Sequence, residues 1–172
     1  RFEGGNKSNA ISREAYAVLV GNCEQKKMLD ISCQRFQKIF EQEYAHMAPD
    51  LKIEVIPSAL PGSCIANIDA ERFLRAISAC FNGVFSMSLE MPGLVESSSN
   101  LAAIKWTENH CVEIVTSQRS ALESKKTEVA QSIKACFELA QMDVEQHDSY
   151  PGWAPKSDSP LLVLCAESYE RL

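Results

Sequence analysis

No apolar run in the 172 residues is long enough to cross a bilayer as a helix. No block of Lys or Arg occurs either. Seventeen basic side chains face 23 acidic ones, a formal net charge of -6, which argues against a nucleic-acid partner and against an anionic membrane surface. Metal and nucleophile signatures are also missing. There is no His-x-x-x-His, His-x-Asp or Cys-x-x-Cys, no Gly-x-Ser-x-Gly and no Gly-rich phosphate loop. His46, His110 and His147 are therefore expected on the solvated surface. The seven cysteines are odd in number and at least ten positions apart, a spacing that suits neither a zinc knuckle nor a redox pair. Reduced thiols acting as small hydrophobes are expected. No fixed-period repeat and no low-complexity tract is found. Arg1 and Phe2 run straight into Gly4-Gly5-Asn6 rather than into an apolar leader, so the expected location is cytoplasmic.

What is present suits a globular chain, with 45% hydrophobic and 23% charged residues. Residues 1–3 read as the end of a strand entering a Gly-Gly turn, and 14–20 as an unbroken strand. A helix is predicted from about Glu24 to Met47, with Leu29, Cys33, Phe36, Phe40, Tyr44 and Met47 on one buried stripe. Leu51, Ile53 and Val55 alternate with charges and predict a half-buried strand. Pro61-Gly62 marks a loop. Asp69 is placed as the N-cap of a helix to about Phe81, with Phe73, Ile77 and Cys80 inward. Two strands, 94–107 and 110–118, flank a Glu108-Asn109 turn. Ser120 and Glu123 read as a capping box opening a helix to about Met142, followed by a short strand near Val144. The segment 150–155 is irregular. Ser159 and Pro160 start a last helix with Leu161, Cys165, Tyr169 and Leu172 inward. The fold class predicted is α+β, an antiparallel β-sheet with helices packed on one face.

Two residues suggest recognition. Arg119 ends a strand directly before a helix N-terminus, where amides favour anions, and guanidinium matches a carboxylate with two parallel hydrogen bonds. The alternative is a surface ion pair with Glu123. Asn9 follows the Gly-Gly turn, so its amide can donate to a carbonyl oxygen or simply close an Asx-turn.

Four segments, in order, carry a resemblance. Gly4-Gly5-Asn6-Lys7-Ser8-Asn9-Ala10-Ile11-Ser12-Arg13-Glu14-Ala15 resembles the Gly-Gly…Arg-Asn-Ala-Ile-Pro-Arg-Glu-Ala signature of the aminoacyl-histidine dipeptidases (Xaa-His dipeptidases, bacterial carnosinase type). Gly93-Leu94-Val95-Glu96-Ser97-Ser98-Ser99-Asn100-Leu101 is similar to their Val-Val-Glu-Thr-Ser-x-Asn segment. Arg119-Ser120 matches an Arg-Ser pair, and Ser149-Tyr150-Pro151-Gly152-Trp153 through Asp158-Ser159-Pro160 resembles their Tyr-Pro-Gly-Trp…Asn/Asp-Ser-Pro stretch. Ser12 replaces the usual Pro, which implies a looser turn, and Ser8 replaces an Arg.

The resemblance implies a lid (dimerisation) domain of ferredoxin-like type over 1–149, lacking its first strand and helix, and a return segment into the catalytic domain over 150–172. It implies a parent hydrolase with two zinc ions, all held on that catalytic domain of the same chain, and a dipeptide substrate such as β-Ala-His. It gives Asn9 the peptide carbonyl and Arg119 the terminal carboxylate. It also implies a homodimer, and no catalytic or metal-binding residue within these 172 positions. The rival reading is a stand-alone α+β module that binds a small ligand or self-associates without catalysis.

Overall fold

The computed structural model describes residues 1–107, 111–156 and 158–171. The predicted Glu108-Asn109 turn, His110 and Leu172 lie outside them. The chain forms two compact units: Arg1 with Ala17–Cys64, and Phe2–Tyr16 with Ile65–Leu172.

The second unit is built around one long strand. The strands are β1 (Phe2–Gly4), β2 (Ala15–Ala17), β3 (Gly83–Met87), β4 (Val95–Trp106) and β5 (Val112–Ser120). β5 runs antiparallel along β4 from Ser97 opposite Ser120 to Trp106 opposite Val112. The other edge of β4 is shared. β3 pairs its first half and β1 its second, both antiparallel. Between them, side chains replace the missing ladder. The Leu101 amide donates to Asn82 Oδ1 at 2.8 Å, and Ser12 Oγ donates to the Ala102 carbonyl at 3.1 Å. The register skips one residue of β4 between Leu101 and Ala103, so Ala102 is a bulge, fully buried.

Two helices, α2 (Asn67–Ala79) and α3 (Glu123–Leu139), cover one sheet face. Ala76, Cys80, Val129, Ile133 and Phe137 form the core, with Leu101 and Ile114 of the sheet packed against it. Phe2 meets Phe73 edge-on at 5.5 Å. Burial, with a smaller push from the neighbouring Cys136, raises the Cys80 thiol pKa to about 11. The predicted α+β class, an antiparallel sheet with helices on one face, is what the structure shows.

The first unit holds α1 (Cys23–Glu43). Asn22 caps it: Asn22 Oδ1 accepts from the amides of Glu24 and Gln25, and Gln25 Oε1 accepts from the Asn22 amide at 2.9 Å. The predicted helix exists, but its stripe is not buried. No residue of α1 is buried, and Phe36, Tyr44 and Met47 are exposed. Phe40 instead meets Phe36 at a tilt and Tyr44 edge-on.

Other expectations are corrected. Residues 51–55 form no strand, because their backbone finds a side chain rather than a neighbouring strand: Gln37 Nε2 donates to the Leu51 carbonyl and Gln37 Oε1 accepts from the Ile53 amide. The strand at 14–20 shrinks to Ala15–Ala17, and Val144 packs on the core without pairing as a strand. Asp69 sits inside the first turn of α2 beside Arg72 rather than at the N-cap, which is Ala66. β3 was not foreseen: its residues are mostly exposed and its register is irregular, so no alternation marks it. The last helix, α4 (Pro160–Glu170), does begin after Ser159 with proline in its first turn, but it buries nothing and Leu161, Cys165 and Tyr169 are exposed.

Candidate functional site

Arg119 lies on β5 opposite Ser98 of β4. Strand residues alternate between faces, and Ile114 packs into the helix-covered core, so Arg119 projects from the opposite face with Ser117 and Val115. It is exposed, and its guanidinium makes no ion pair or hydrogen bond to any described residue. The surface pair with Glu123 does not form. The Glu123 carboxylate lies 2.9 Å from Lys126 Nζ and accepts from the Gly152 amide at 3.4 Å. The hydrogen bond from Lys126 holds the Glu123 carboxyl below its ordinary value, against an opposing push from desolvation.

The capping box is corrected with it. Ser120 Oγ accepts from the Leu122 amide at 3.1 Å, yet α3 begins only at Glu123 and the Glu123 side chain does not reach back. Ser120 instead shares a hydroxyl hydrogen bond with the buried Ser97 across the ladder at 2.8 Å. That bond fixes the strand end next to Arg119.

Asn9 sits in an exposed turn. The turn is tied to the sheet by Asn100, whose Nδ2 donates to the Ala10 carbonyl at 2.9 Å and the Ser8 carbonyl at 3.4 Å. Asn100 pairs with Ser117, so it is on the same face as Arg119 and a diagonal neighbour, roughly 7–8 Å away at the backbone. Asn100 was quoted in a motif but not singled out. The register shows its role: it anchors the turn that carries Asn9 beside the strand pair that carries Arg119. No described contact joins Asn9 to Arg119 directly.

Ser12 tightens the turn rather than loosening it. Its hydroxyl bonds the bulge carbonyl of Ala102, as a proline could not. Gly5 explains why the loop lies so close. At φ +68° it takes a backbone shape that side chains disfavour, and a Cβ there would stand 2.0 Å from the Ala102 carbonyl oxygen.

A cavity of about 840 Å³ adjoins this loop, lined among others by Lys7, Arg13, Tyr16 and Trp106. Neither Asn9 nor Arg119 lines it. Tyr16 donates to Glu14 at 2.8 Å, and that bond raises the phenol pKa. Among the described residues, no three His, Cys, Asp or Glu side chains come together to hold a metal ion. His147 is exposed and meets Asp148 at 2.8 Å. No helix of the described residues is long and apolar enough to cross a membrane.

No protein-family model matches the chain. Individual proteins do. Over 171 residues it is 32% identical to the cytosol non-specific dipeptidase of Escherichia coli (strain K12), a match covering 99% of this chain and 35% of that one. The crystal structure of aminoacylhistidine dipeptidase from Vibrio alginolyticus resembles it with a TM-score of 0.84 at 32% identity, again over 99% of this chain and 35% of the other. The present chain thus spans about a third of the length of these relatives. Fold and identity agree along the whole chain: it is similar to one region of a cytosol non-specific dipeptidase and of an aminoacylhistidine dipeptidase.

Proposed function

We propose that this chain is the substrate-clamping lid of a cytoplasmic, zinc-dependent dipeptidase that cleaves Xaa-His dipeptides such as β-Ala-His. Residues 1–149 form the lid, and 150–172 begin the return into a catalytic domain of the same protein. The observation that carries the reading is the guanidinium of Arg119, without a partner among the described residues, on the sheet face opposite α2 and α3 and diagonal to the Asn100 that anchors the Asn9 turn. Arg119 grips the dipeptide's terminal carboxylate through two charge-assisted hydrogen bonds, and the Asn9 amide donates to the peptide carbonyl. Closure then aligns the scissile bond and excludes water. In this reading the two zinc ions that would polarise the scissile bond are held by the catalytic domain, and no step of this chain runs through them.

The test is Arg119→Ala in the dipeptidase that carries this region, assayed on β-Ala-His. Losing a charge-assisted grip lowers kcat/KM roughly tenfold to a hundredfold and leaves zinc content unchanged. Unaltered kinetics remove Arg119 from the site. The same reading makes the protein a homodimer. The exposed apolar side chains Met28, Ile31 and Phe36 on α1 support it. Sedimentation should show dimers at micromolar concentration, and monomers alone at high concentration would refute pairing.

A further inference from the structure

The start of α3 holds an arrangement that the clamp reading does not use. Lys126 lies one turn into the helix with its side chain only 13% exposed. A lysine side chain covered to this extent needs partners for its ammonium. Here they are: Nζ donates to the Tyr150 carbonyl, lies 2.9 Å from the Glu123 carboxylate, and has the Tyr150 ring 6.0 Å away. Glu123 in turn accepts from the Gly152 amide at 3.4 Å, a long bond that would hold little without the lysine behind it. Gly152 itself leaves no room for a side chain. A Cβ there would stand 2.4 Å from the Ser120 carbonyl oxygen and 2.9 Å from that of Ala121. The backbone of the Tyr150-Pro151-Gly152 segment therefore rests on the residue next to Arg119.

We infer that Lys126 is a positioning residue, which locks the Tyr150–Gly152 segment onto the Ser120–Ala121 corner and thereby sets where Arg119 presents its guanidinium. The inference rests on the clamp reading above. Two-point grip of a carboxylate is intolerant of displacement, so a corner free to shift presents Arg119 poorly even though no contact of Arg119 itself is touched. The lysine acts through backbone, and the route is short: ammonium to Tyr150 carbonyl and Glu123, Glu123 to Gly152 amide, Gly152 against Ser120, Ser120 bonded to Arg119.

Two measurements test it, using Lys126→Met, Lys126→Arg, Gly152→Ala and the control Lys134→Met, which lies on the same helix outside the lock. The first is the rate of chymotryptic cleavage after Trp153 in the 172-residue chain. The second is KM and kcat on β-Ala-His in the dipeptidase that carries it. Lys126→Met should speed cleavage and raise KM, each by about tenfold, with kcat changed less. Gly152→Ala, which leaves every charge in place, should do the same, Lys126→Arg should restore most of both, and Lys134→Met should leave both unchanged. Unchanged cleavage in Lys126→Met and Gly152→Ala overturns the lock. Faster cleavage with unchanged KM, where Arg119→Ala does impair turnover, overturns the coupling to Arg119 and leaves the clamp standing. If Arg119→Ala is itself silent, the clamp reading fails, and the positioning role fails with it.

Discussion

The two units of the chain follow one rule of sequence to opposite ends. α1 and α3 both place apolar residues at helical spacing. In α3 the stripe Val129, Ile133 and Phe137 is buried against α2 and the sheet. In α1 the stripe has no buried member, and Phe36 remains 49% exposed. Every buried residue of the chain's described part belongs to the sheet-bearing unit. Periodicity thus makes a face, whereas burial needs a second surface that complements it. α1 relies on local devices instead: a full capping box at Asn22, an i,i+4 ion pair between Lys26 and Asp30 at 2.8 Å, and tilted and edge-on ring contacts along the stripe.

The contrast should be measurable, most strongly in paired truncations. Phe137→Ala empties a site that is 5% exposed and should cost about 3–5 kcal/mol in denaturant unfolding. Phe36→Ala on α1 should cost under about 1 kcal/mol. Equal losses would mean that the α1 stripe is covered after all. Next comes Gly5→Ala. The positive φ and the approach to the Ala102 carbonyl together should cost about 1–3 kcal/mol, read by the same unfolding curves, whereas Gly62→Ala, with open space around it in the other unit, should be nearly silent.

The smallest effect is chemical. Cys80 in the sheet unit should resist alkylation at mildly alkaline pH while the exposed Cys23 and Cys64 of the other unit react, as mass spectrometry of the labelled peptides would show. The sign of the linked stability follows. Between the ordinary thiol value of 9.0 and the folded value of about 11, the native state keeps a proton that the unfolded chain has released. Stability contributed by Cys80 is therefore intact below that window and falls as pH rises through it. Labelling of Cys80 as fast as Cys23 would contradict this.

Much of the fold was legible because local chemistry and tertiary pairing agree. Val112, Ile114 and Thr116 share one face of β5, α2 and α3 carry strong periodic faces, and Asn82-Gly83 stops α2 where an amide oxygen is needed by Leu101. Errors arose where a side chain served in place of backbone. The alternation at 51–55 looks like a strand, but its partner is the amide of Gln37. Ser120 and Glu123 have capping-box spacing, yet each hydroxyl and carboxylate found a more distant partner, Ser97 for one and Lys126 with Gly152 for the other. Of the candidate site, Arg119 and Asn9 were readable as residue types suited to anion and carbonyl recognition. Asn100 was not, because its importance comes from register: only pairing with Ser117 puts it beside Arg119.

Composition, charge and the order of short motifs were enough to indicate an α+β chain related to dipeptidases, since side-chain chemistry and local backbone preference are properties of neighbours in sequence. Which apolar stripe is covered, which polar group finds which partner, and how the Asn9 turn lies relative to the Arg119 strand depend on contacts between residues far apart in sequence, 90 and 92 positions for the bonds of Asn100 to the turn. Such contacts are settled by packing and register, where a shift of one residue turns a side chain to the other face, and that information exists only once the chain has folded.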